Sequence, residues 1–349
     1  MENRMTQYFN TAALAASFDR RKAPGTDLID MMFKMEYQSQ HEKIVFDEIQ
    51  DDEGVASYVS PDVETPDGEN IKIGAQDFKP SYIKERHTIK AAQGLTRQVG
   101  EPLYGDQNRD AGDAFFNAVE NTLDMHQKRI TRREILQANE LLQTGKVTIE
   151  GKNYPKRIVN FNRDPALSDA LIGGARWGQT GVSIGDYIES KSDKMGEVGG
   201  AIGKVLILGS TAKNVFANDP VIRDALNNER AISGKMEFGT LGTDSESVMR
   251  FVGEWGDLEV WKYVQTYKDS SGVRQHMFPT NGMFLGDPSE FSGIRGYGAI
   301  LDIKAGMQPF KRFAKVWDNE DPAATLAMTQ SSPLMLSGNI NASFFATVL

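Results

Sequence analysis

The sequence predicts an α+β fold organised around one long helix. Residues 109–145 contain no proline, and Phe116, Val119, Leu123 and Ile130 keep the spacing of three and four that places side chains on one face of a helix. On either side, short apolar runs alternate with turn residues, as is typical of strands. Glycine accounts for 33 of the 349 residues, above the roughly 7% of average usage, which favours many turns.

The long helix is the best-defined element of the sequence. About 33 helical residues at roughly 1.5 Å each give a rod near 50 Å long, well beyond the usual globular helix. Gly145 is suited to the left-handed conformation that ends many helices. A coiled coil or helix bundle is the alternative, but no second segment of similar length exists, so we expect the helix to pack across a sheet.

Composition narrows the functional class. A chain of 349 residues predicts two folded parts with appendages, and the absence of cysteine excludes disulfides, a thiolate nucleophile and a zinc ribbon. No stretch approaches the roughly 20 apolar residues of a membrane span, and the first twenty residues lack the pattern of a signal peptide. We therefore expect a soluble, unexported protein without a membrane partner. The net charge of −9 argues against a sequence-reading nucleic-acid binder.

Residues 1–42 read as an arm. An alanine-rich helical piece at residues 11–18 is separated by Pro24-Gly25 from a second apolar group at Leu28–Phe33. Two such short amphipathic pieces cannot bury their own apolar faces. They need another surface, either on the body of this chain or on a neighbour.

Residues 43–100 predict strands that extend from the body. Their runs, at residues 44–49, 55–59, 71–73 and 82–89, are broken by turns such as Pro66-Asp67-Gly68-Glu69. Lysines, arginines and glutamates interrupt both faces, so these strands make a poor independent core. We expect a long two-stranded projection whose edges require a partner.

Residues 146–349 predict an α/β lobe followed by further strands. A hairpin is expected over 147–159, a helix capped by Ser183 through Met195, and a second short helix over 211–217. A third, over 220–228, has proline in its first turn. The predicted strands cover residues 204–208, 248–252, 258–267, 277–278, 299–303, 314–317, 326–331 and 344–348.

No motif makes a convincing catalytic or metal site. Gly181-Val182-Ser183-Ile184-Gly185 has the form of a hydrolase nucleophile elbow, but no core strand precedes it and a helix N-cap explains Ser183 better. The glycines at 199–203 do not have phosphate-loop spacing, and the acidic turns at 51–53 and 318–321 lack calcium-loop spacing. The four histidines show no metal-ligand spacing, and His126 is expected to be a hydrogen-bonded core residue. We expect no catalytic residue, cofactor or metal.

A basic cluster on the long helix leaves three interpretations open. Lys128, Arg129, Arg132 and Arg133 could form a solvated face, could pair with acids of a neighbouring chain, or could face bulk nucleic acid without reading its sequence. Together with aromatic and basic residues of the arm and the projection, part of this cluster forms the predicted assembly interface: Phe33, Tyr58, Phe78, Tyr82, Lys84, Arg129, Arg132 and Arg133.

Several segments resemble, in order, the major capsid proteins of phage lambda type, a branch of the tailed-phage capsid fold. Residues 55–61 and 78–84 look like the two strands of that family's extended loop. Residues 282–286 and 293–298 resemble its late strand and turn, and residues 329–336 its C-terminal strand segment. The matches cover most of the chain, with residues 179–247 the least distinctive.

This resemblance implies an N-terminal arm (1–42), an extended loop with flanking strands (43–100), a peripheral domain with a spine helix (101–175) and an axial α/β domain (176–282). Residues 283–349 would return to the sheets of both domains. It also implies hexamers and pentamers of an icosahedral head, with separate scaffold and portal proteins, a decoration protein in some heads, and only non-specific contact with the enclosed DNA. The alternatives are an encapsulin-like compartment and, from another class, a serine hydrolase that uses Ser183.

Overall fold

The computed structural model describes residues 25–40, 44–49, 73–78, 80–90, 111–151, 154–223, 248–269, 271–321 and 323–349; for 44–49, 73–78, 111–113 and 154 only the backbone is described. Within these ranges the chain has the mixed α+β architecture that the sequence predicts. The helices are α1 (Asp27–Met32), α2 (Ala111–Thr144), α3 (Ile184–Gly199), α4 (Ser210–Asn218) and α5 (Pro288–Phe291). None of the described helices is both long enough and apolar enough to cross a membrane.

The strands fall into several sheets. They are β1 (Met35–Gln38), β2 (Ile44–Ile49), β3 (Ile73–Phe78), β4 (Ile83–Lys90), β5 (Lys146–Gly151), β6 (Tyr154–Asn160), β7 (Ser168–Ala170), β8 (Val205–Leu208), β9 (Met249–Trp255), β10 (Leu258–Tyr263), β11 (Thr266–Lys268), β12 (Arg274–His276), β13 (Gly282–Gly286), β14 (Gly293–Tyr297), β15 (Phe313–Asn319), β16 (Ala324–Ser331), β17 (Pro333–Ser337) and β18 (Ser343–Thr347).

The long helix is confirmed. α2 has 34 residues, and its end is set by Gly145, whose φ of 66° is left-handed and whose N–H donates to the Leu141 carbonyl at 2.8 Å. Arg163 reinforces this end by donating to the carbonyls of Leu141, Leu142 and Gln143 at 2.8–3.2 Å. A cation placed on the last carbonyls of a helix also complements the helix dipole.

The long helix packs across sheets, as expected. Near its start, Val119 and Leu123 pack against Ile89 and Ala327 of the three-stranded sheet β15-β16-β4. Further along, its apolar residues join the largest core cluster. The helix therefore connects two packing regions of the subunit.

The six-stranded sheet, in the order β7-β18-β13-β8-β10-β9, is covered on both faces. Along β8, Val205 and Ile207 belong to the core that includes α2, whereas Leu206 and Leu208 belong to the core that includes α3 and α4. This alternation explains why β8 reads as continuously apolar in the sequence. The sheet is mixed, since β8 is parallel to β10 and antiparallel to β13.

The second apolar group of the predicted arm packs on this chain's own body. Leu28, Ile29, Met32 and Phe33 are at most 2% exposed and belong to the largest core cluster. β1 then pairs in parallel with β14. Of the two surfaces that the sequence left open for this group, the structure supplies the intramolecular one. The alanine-rich piece at 11–18 lies outside the described residues.

Three predicted strands are wrong in detail. The segment 258–267 divides into β10 and β11, because Val264 and Gln265 between them belong to neither strand. Met277 and Phe278 are buried but lie after the strand Arg274–His276. At residues 299–303, Ala299 makes only an isolated bridge to Pro309, and a 3-10 turn follows.

Candidate assembly interface

A groove of about 1820 Å³ runs along α2, and we call it the basic groove. Its walls come from the start of β4, from one face of α2, from β5 and from the β11–β12 hairpin. The structure brings together five of the eight residues predicted for the assembly interface. The five that line this groove are Tyr82, Lys84, Arg129, Arg132 and Arg133.

The arginines share one side of the helix because they are three and four residues apart. Arg129 forms an ion pair with Glu85 of β4, with 3.2 Å between Nη1 and Oε2. Arg132 and Arg133 are exposed, and neither makes a hydrogen bond or ion pair with another described residue. Their charges are therefore available at the groove surface.

Tyr82 lies at the end of the groove where β4 begins, and hydrogen bonds hold its hydroxyl in place. Its hydroxyl donates to Gln330 Oε1 at 2.6 Å and accepts the N–H of Leu301 at 3.0 Å. Burial and the nearby Asp302 carboxylate raise the pKa of Tyr82, so the hydroxyl stays protonated at neutral pH. Lys84 Nζ lies 5.0 Å from the centre of the Tyr82 ring. This contact orients an exposed cation along the groove wall.

The β11–β12 hairpin adds two cations that the sequence-based prediction missed. Lys268 and Arg274 form the last residue pair of the hairpin, and both are exposed. The turn between them is held by Asp269, whose carboxylate accepts the N–H groups of Ser271 and Val273 at 2.9 Å. Residues 268–272 have a composition typical of a hairpin turn, but nothing in the sequence places this hairpin beside α2.

The prediction that Phe33 lies at an interface is wrong. Phe33 is fully buried, and its ring packs edge-on against Phe291 of the same chain at 5.6 Å between centroids. Its side chain cannot contact a neighbour without unfolding of the core. Tyr58 lies outside the described residues. Phe78 ends β3, where its backbone pairs with Ile44, and only its backbone is described.

His126 is a buried, hydrogen-bonded residue, as expected, but the sequence did not predict its hydrogen-bond partner. His87 of β4 lies across the helix–sheet boundary, and its Nδ1 is 2.7 Å from His126 Nε2. His126 Nδ1 is 3.1 Å from Thr329 Oγ1 of β16. Burial, followed by the neighbouring His87 and the charge of Arg129, lowers the pKa of His126 from 6.5 to about 4.

Ser183 is an N-cap in the structure. Its hydroxyl accepts the N–H of Asp186 at 3.3 Å at the start of α3. No described histidine hydrogen-bonds to it, and His126 and His87 bond to each other instead. Within the described ranges, no group of three histidine, aspartate or glutamate residues is placed to hold a metal.

The fold is that of known capsid proteins. The crystal structure of a prophage capsid protein of Escherichia coli CFT073 superposes with a TM-score of 0.72 at 20% identity, covering 97% of this chain and 99% of that one. A phage-related protein of Bordetella bronchiseptica aligns with a TM-score of 0.50 at 9% identity. The long helix packed across several sheets is thus that of the tailed-phage capsid fold.

Sequence comparison identifies the family. The model of phage major capsid protein E matches residues 10–348, so the chain belongs to this family of virion structural proteins. The P21 prophage-derived major head protein of Escherichia coli O6:H1 is 26% identical over 312 residues, which are 88% of this chain and 90% of that protein. The major capsid protein of Escherichia phage lambda is 25% identical over 338 residues, 94% and 95% of the two chains.

Proposed function

We propose that copies of this chain form the hexamers and pentamers of an icosahedral phage head around double-stranded DNA. Assembly would begin in the host cytoplasm as a prohead, with scaffold and portal proteins as partners and, in some heads, a decoration protein. Its contacts with DNA would be non-specific. The protein would act through geometry and not as an enzyme. Family membership favours this head over the encapsulin-like compartment.

We further propose that the chain is divided as its sequence suggests. Residues 1–42 would contain the arm, 43–100 the extended loop, 101–175 the peripheral domain and 176–282 the axial domain. Residues 283–349 would return to both. The packing of Leu28–Phe33 in the core shifts the part of the arm that can reach a neighbour to residues before Gly25.

The β2–β3 ladder is the observation that supports this function most directly. The two strands pair with each other over six residue pairs, and neither pairs with any other described strand. A two-stranded ribbon is only marginally stable alone and presents unpaired backbone groups on both edges. A neighbouring copy can cover such a ribbon. In a shell, many modest contacts of this kind add up through multivalency.

Particle formation by deletion variants tests the proposal. The full chain would be expressed with the remaining head genes, and closed particles would be counted by electron microscopy. Removing residues 1–24 should impair closure while leaving the subunit folded, whereas removing 1–42 also deletes core residues and cannot separate the two effects. A second variant would replace residues 51–71 by a short turn.

Normal closed particles from both deletion variants would refute the role of the arm and the loop. The contents of wild-type particles distinguish the remaining alternative, since DNA indicates a phage head and protein cargo indicates an encapsulin-like compartment. Esterase activity that is lost on Ser183→Ala would indicate the hydrolase.

A further inference from the structure

We propose that the sheet β15-β16-β4 binds an acidic amphipathic helix of a partner protein on the face opposite α2. We call this face, together with the turn at residues 299–310 that borders it, the uncovered face. The inference goes beyond the proposed function, because it names a surface and the chemistry of the molecule that covers it. It rests on the unequal covering of the sheet, on an apolar turn and on an excess of cations.

The two faces of this sheet are covered unequally. On one face, Ile89 and Ala327 are at most 2% exposed and pack against α2. On the other face, at alternate positions of the strands, Trp317, Leu326 and Met328 remain partly exposed. The six-stranded sheet, in contrast, has a core cluster on each face. A sheet with apolar side chains on both faces needs a layer on each, and the described residues supply the second layer here only in part.

A short turn borders the uncovered face and presents apolar side chains of its own. Ile300 and Ala305 are buried and anchor this turn to the start of β15. Leu301, Ile303 and Met307 of the same turn are 56%, 93% and 65% exposed. Three large apolar side chains exposed within one turn are typical of an interaction site.

Hydrogen bonds hold this turn in place before a partner binds. The Asp302 carboxylate accepts the N–H of Lys304 at 3.0 Å, and the Asp302 carbonyl accepts the N–H of Ala305 at 3.1 Å. The same carboxylate accepts Gln330 Nε2 at 3.0 Å and forms an ion pair with Lys315 of β15. A preorganised surface loses little conformational entropy when it binds, which favours recognition.

The charge of the uncovered face is unbalanced toward the positive. Its carboxylate at Asp302 is already paired with Lys315. Glu320 and Asp321 lie past the last residue pair, in the turn between β15 and β16. Four cations of the face are exposed and form no ion pair with a described residue: Lys84, Arg86, Lys90 and Lys304.

The position of these cations indicates where the partner carries its acids. β4 is an edge strand of the sheet, and Lys84, Arg86 and Lys90 alternate along it on the side opposite α2. They therefore line one margin of the apolar strip. Carboxylates along the border of an apolar surface on the partner would complement them.

The dimensions of the uncovered face suit a helix. β16 has eight residues, and its steps of roughly 3.3 Å make it about 23 Å long. Three strands spaced by roughly 4.8 Å span about 10 Å, which is close to the diameter of a helix, and about 15 helical residues match the length of β16. A helix with leucines on one face and glutamates beside them would cover the apolar side chains and reach the cations.

DNA and the segments of this chain match the face less well. Phosphates would pair with the cations but would leave the apolar side chains of the turn without a partner. The acidic residues 51–69 contain Pro61 and Pro66, which prevent a continuous helix. The arm has the wrong sign, since residues 1–24 contain two acidic and four basic side chains: Glu2, Asp19, Arg4, Arg20, Arg21 and Lys22.

Peptide binding to the full-length subunit tests the inference. The probe is a labelled helical peptide of about 16 residues, with leucines on one face and glutamates on both sides of them. It should bind at least tenfold more tightly than a peptide of the same composition with the leucines scattered around the helix. It should also bind at least tenfold more tightly than a peptide with lysine in place of glutamate, because the cations of the face repel lysine.

A double substitution in the turn locates the apolar part of the site. Ile303→Ser/Met307→Ser should weaken binding of the probe at least tenfold, while the circular dichroism spectrum stays that of the wild type. The matched control, Ile172→Ser/Ile202→Ser, makes a similar change at exposed apolar residues elsewhere and should bind the probe as the wild type does.

A second double substitution locates the charged part. Arg86→Glu/Lys90→Glu should weaken binding of the acidic probe at least tenfold and should improve binding of the lysine peptide. Arg176→Glu/Arg223→Glu makes the same charge change at exposed arginines next to another core cluster and should leave both affinities unchanged.

Equal binding of the amphipathic and scattered peptides would overturn the inference. So would unchanged binding by either variant of the uncovered face, or a short DNA duplex that displaces the probe at lower concentration. Analytical ultracentrifugation covers the remaining occupant. Self-association of the purified subunit that is lost in Ile303→Ser/Met307→Ser would assign the face to contacts between copies and would also overturn the inference.

Discussion

Acidification should weaken the subunit through His126. This ring lies between α2 and the β15-β16-β4 sheet, and it contacts His87 from β4, Thr329 from β16 and the charge of Arg129 from its own helix. Protonation would place a cation in a buried site beside another positive group. His126 therefore binds a proton less readily in the folded state than in the unfolded chain.

The sign and size of this pH effect on the free energy of unfolding follow from the folded and unfolded pKa values of His126. The folded pKa of His126 is about 4 and the unfolded pKa is near 6.5, so the unfolded state binds more protons between these values. The stabilisation is complete above the unfolded pKa and is lost as the pH falls toward 4. The loss between pH 7 and pH 5 amounts to about 2 kcal/mol, and it approaches about 3 kcal/mol well below pH 4.

Urea unfolding of the full-length subunit at pH 7 and pH 5 measures this effect. Substituting His126→Gln should lower stability at pH 7, because its hydrogen bonds change, and should also reduce the pH dependence by about 2 kcal/mol. His276→Gln, at an exposed site on β12, is the matched control and should keep the wild-type dependence. The reasoning is refuted if the His126→Gln subunit loses as much stability between pH 7 and pH 5 as the wild type does.

Three further substitutions test the structure directly. Arg312→Leu should destabilise the subunit by about 3–5 kcal/mol, because it removes contacts at 2.6 and 2.8 Å and leaves Glu134 as an unpaired buried charge. The double variant with Glu134→Leu should recover part of the lost stability. A double variant that recovers none in urea unfolding would contradict the pairing. Arg163→Ala should cost about 2–3 kcal/mol by exposing the last carbonyls of α2. The control is Arg157→Ala, which changes a partly exposed arginine without a described partner. Equal losses of stability in the two variants would argue against the role of Arg163 at the end of α2. Ser183→Ala should lower stability by about 1 kcal/mol without reducing particle yield, and an unchanged unfolding midpoint would argue against the N-cap.

The sequence was sufficient to predict an element of the fold where the local signals for that element agree. The long helix was predicted because an uninterrupted apolar spacing ends at a glycine, and the hairpin over 147–159 because two apolar runs flank Gly151. Both elements are confirmed within a few residues. Ser183 was predicted as a cap from its position before a helical pattern, and it is one. In each case the deciding interactions lie within one turn or one hairpin.

Long-range packing explains what was missed. His87 and His126 are 39 residues apart, and only the placement of β4 on α2 brings their rings together. Phe33 was predicted as an exposed contact because its segment is short and apolar, but that segment docks into the core beside Phe291. The groove likewise joins α2 to a hairpin more than 120 residues later. No spacing in the sequence reports such contacts.

The six-stranded sheet can be completed only after almost the whole chain has been translated. β18, residues Ser343–Thr347, lies between β13 and β7 and not at an edge. Translation at about 5–20 residues per second takes roughly 17–70 s to reach this strand, and until then β13 lacks one of its two neighbours. A product truncated before residue 343 lacks the strand that joins β7 to the rest of its largest sheet. A complete sheet therefore forms only in chains that the ribosome has extended past this final strand.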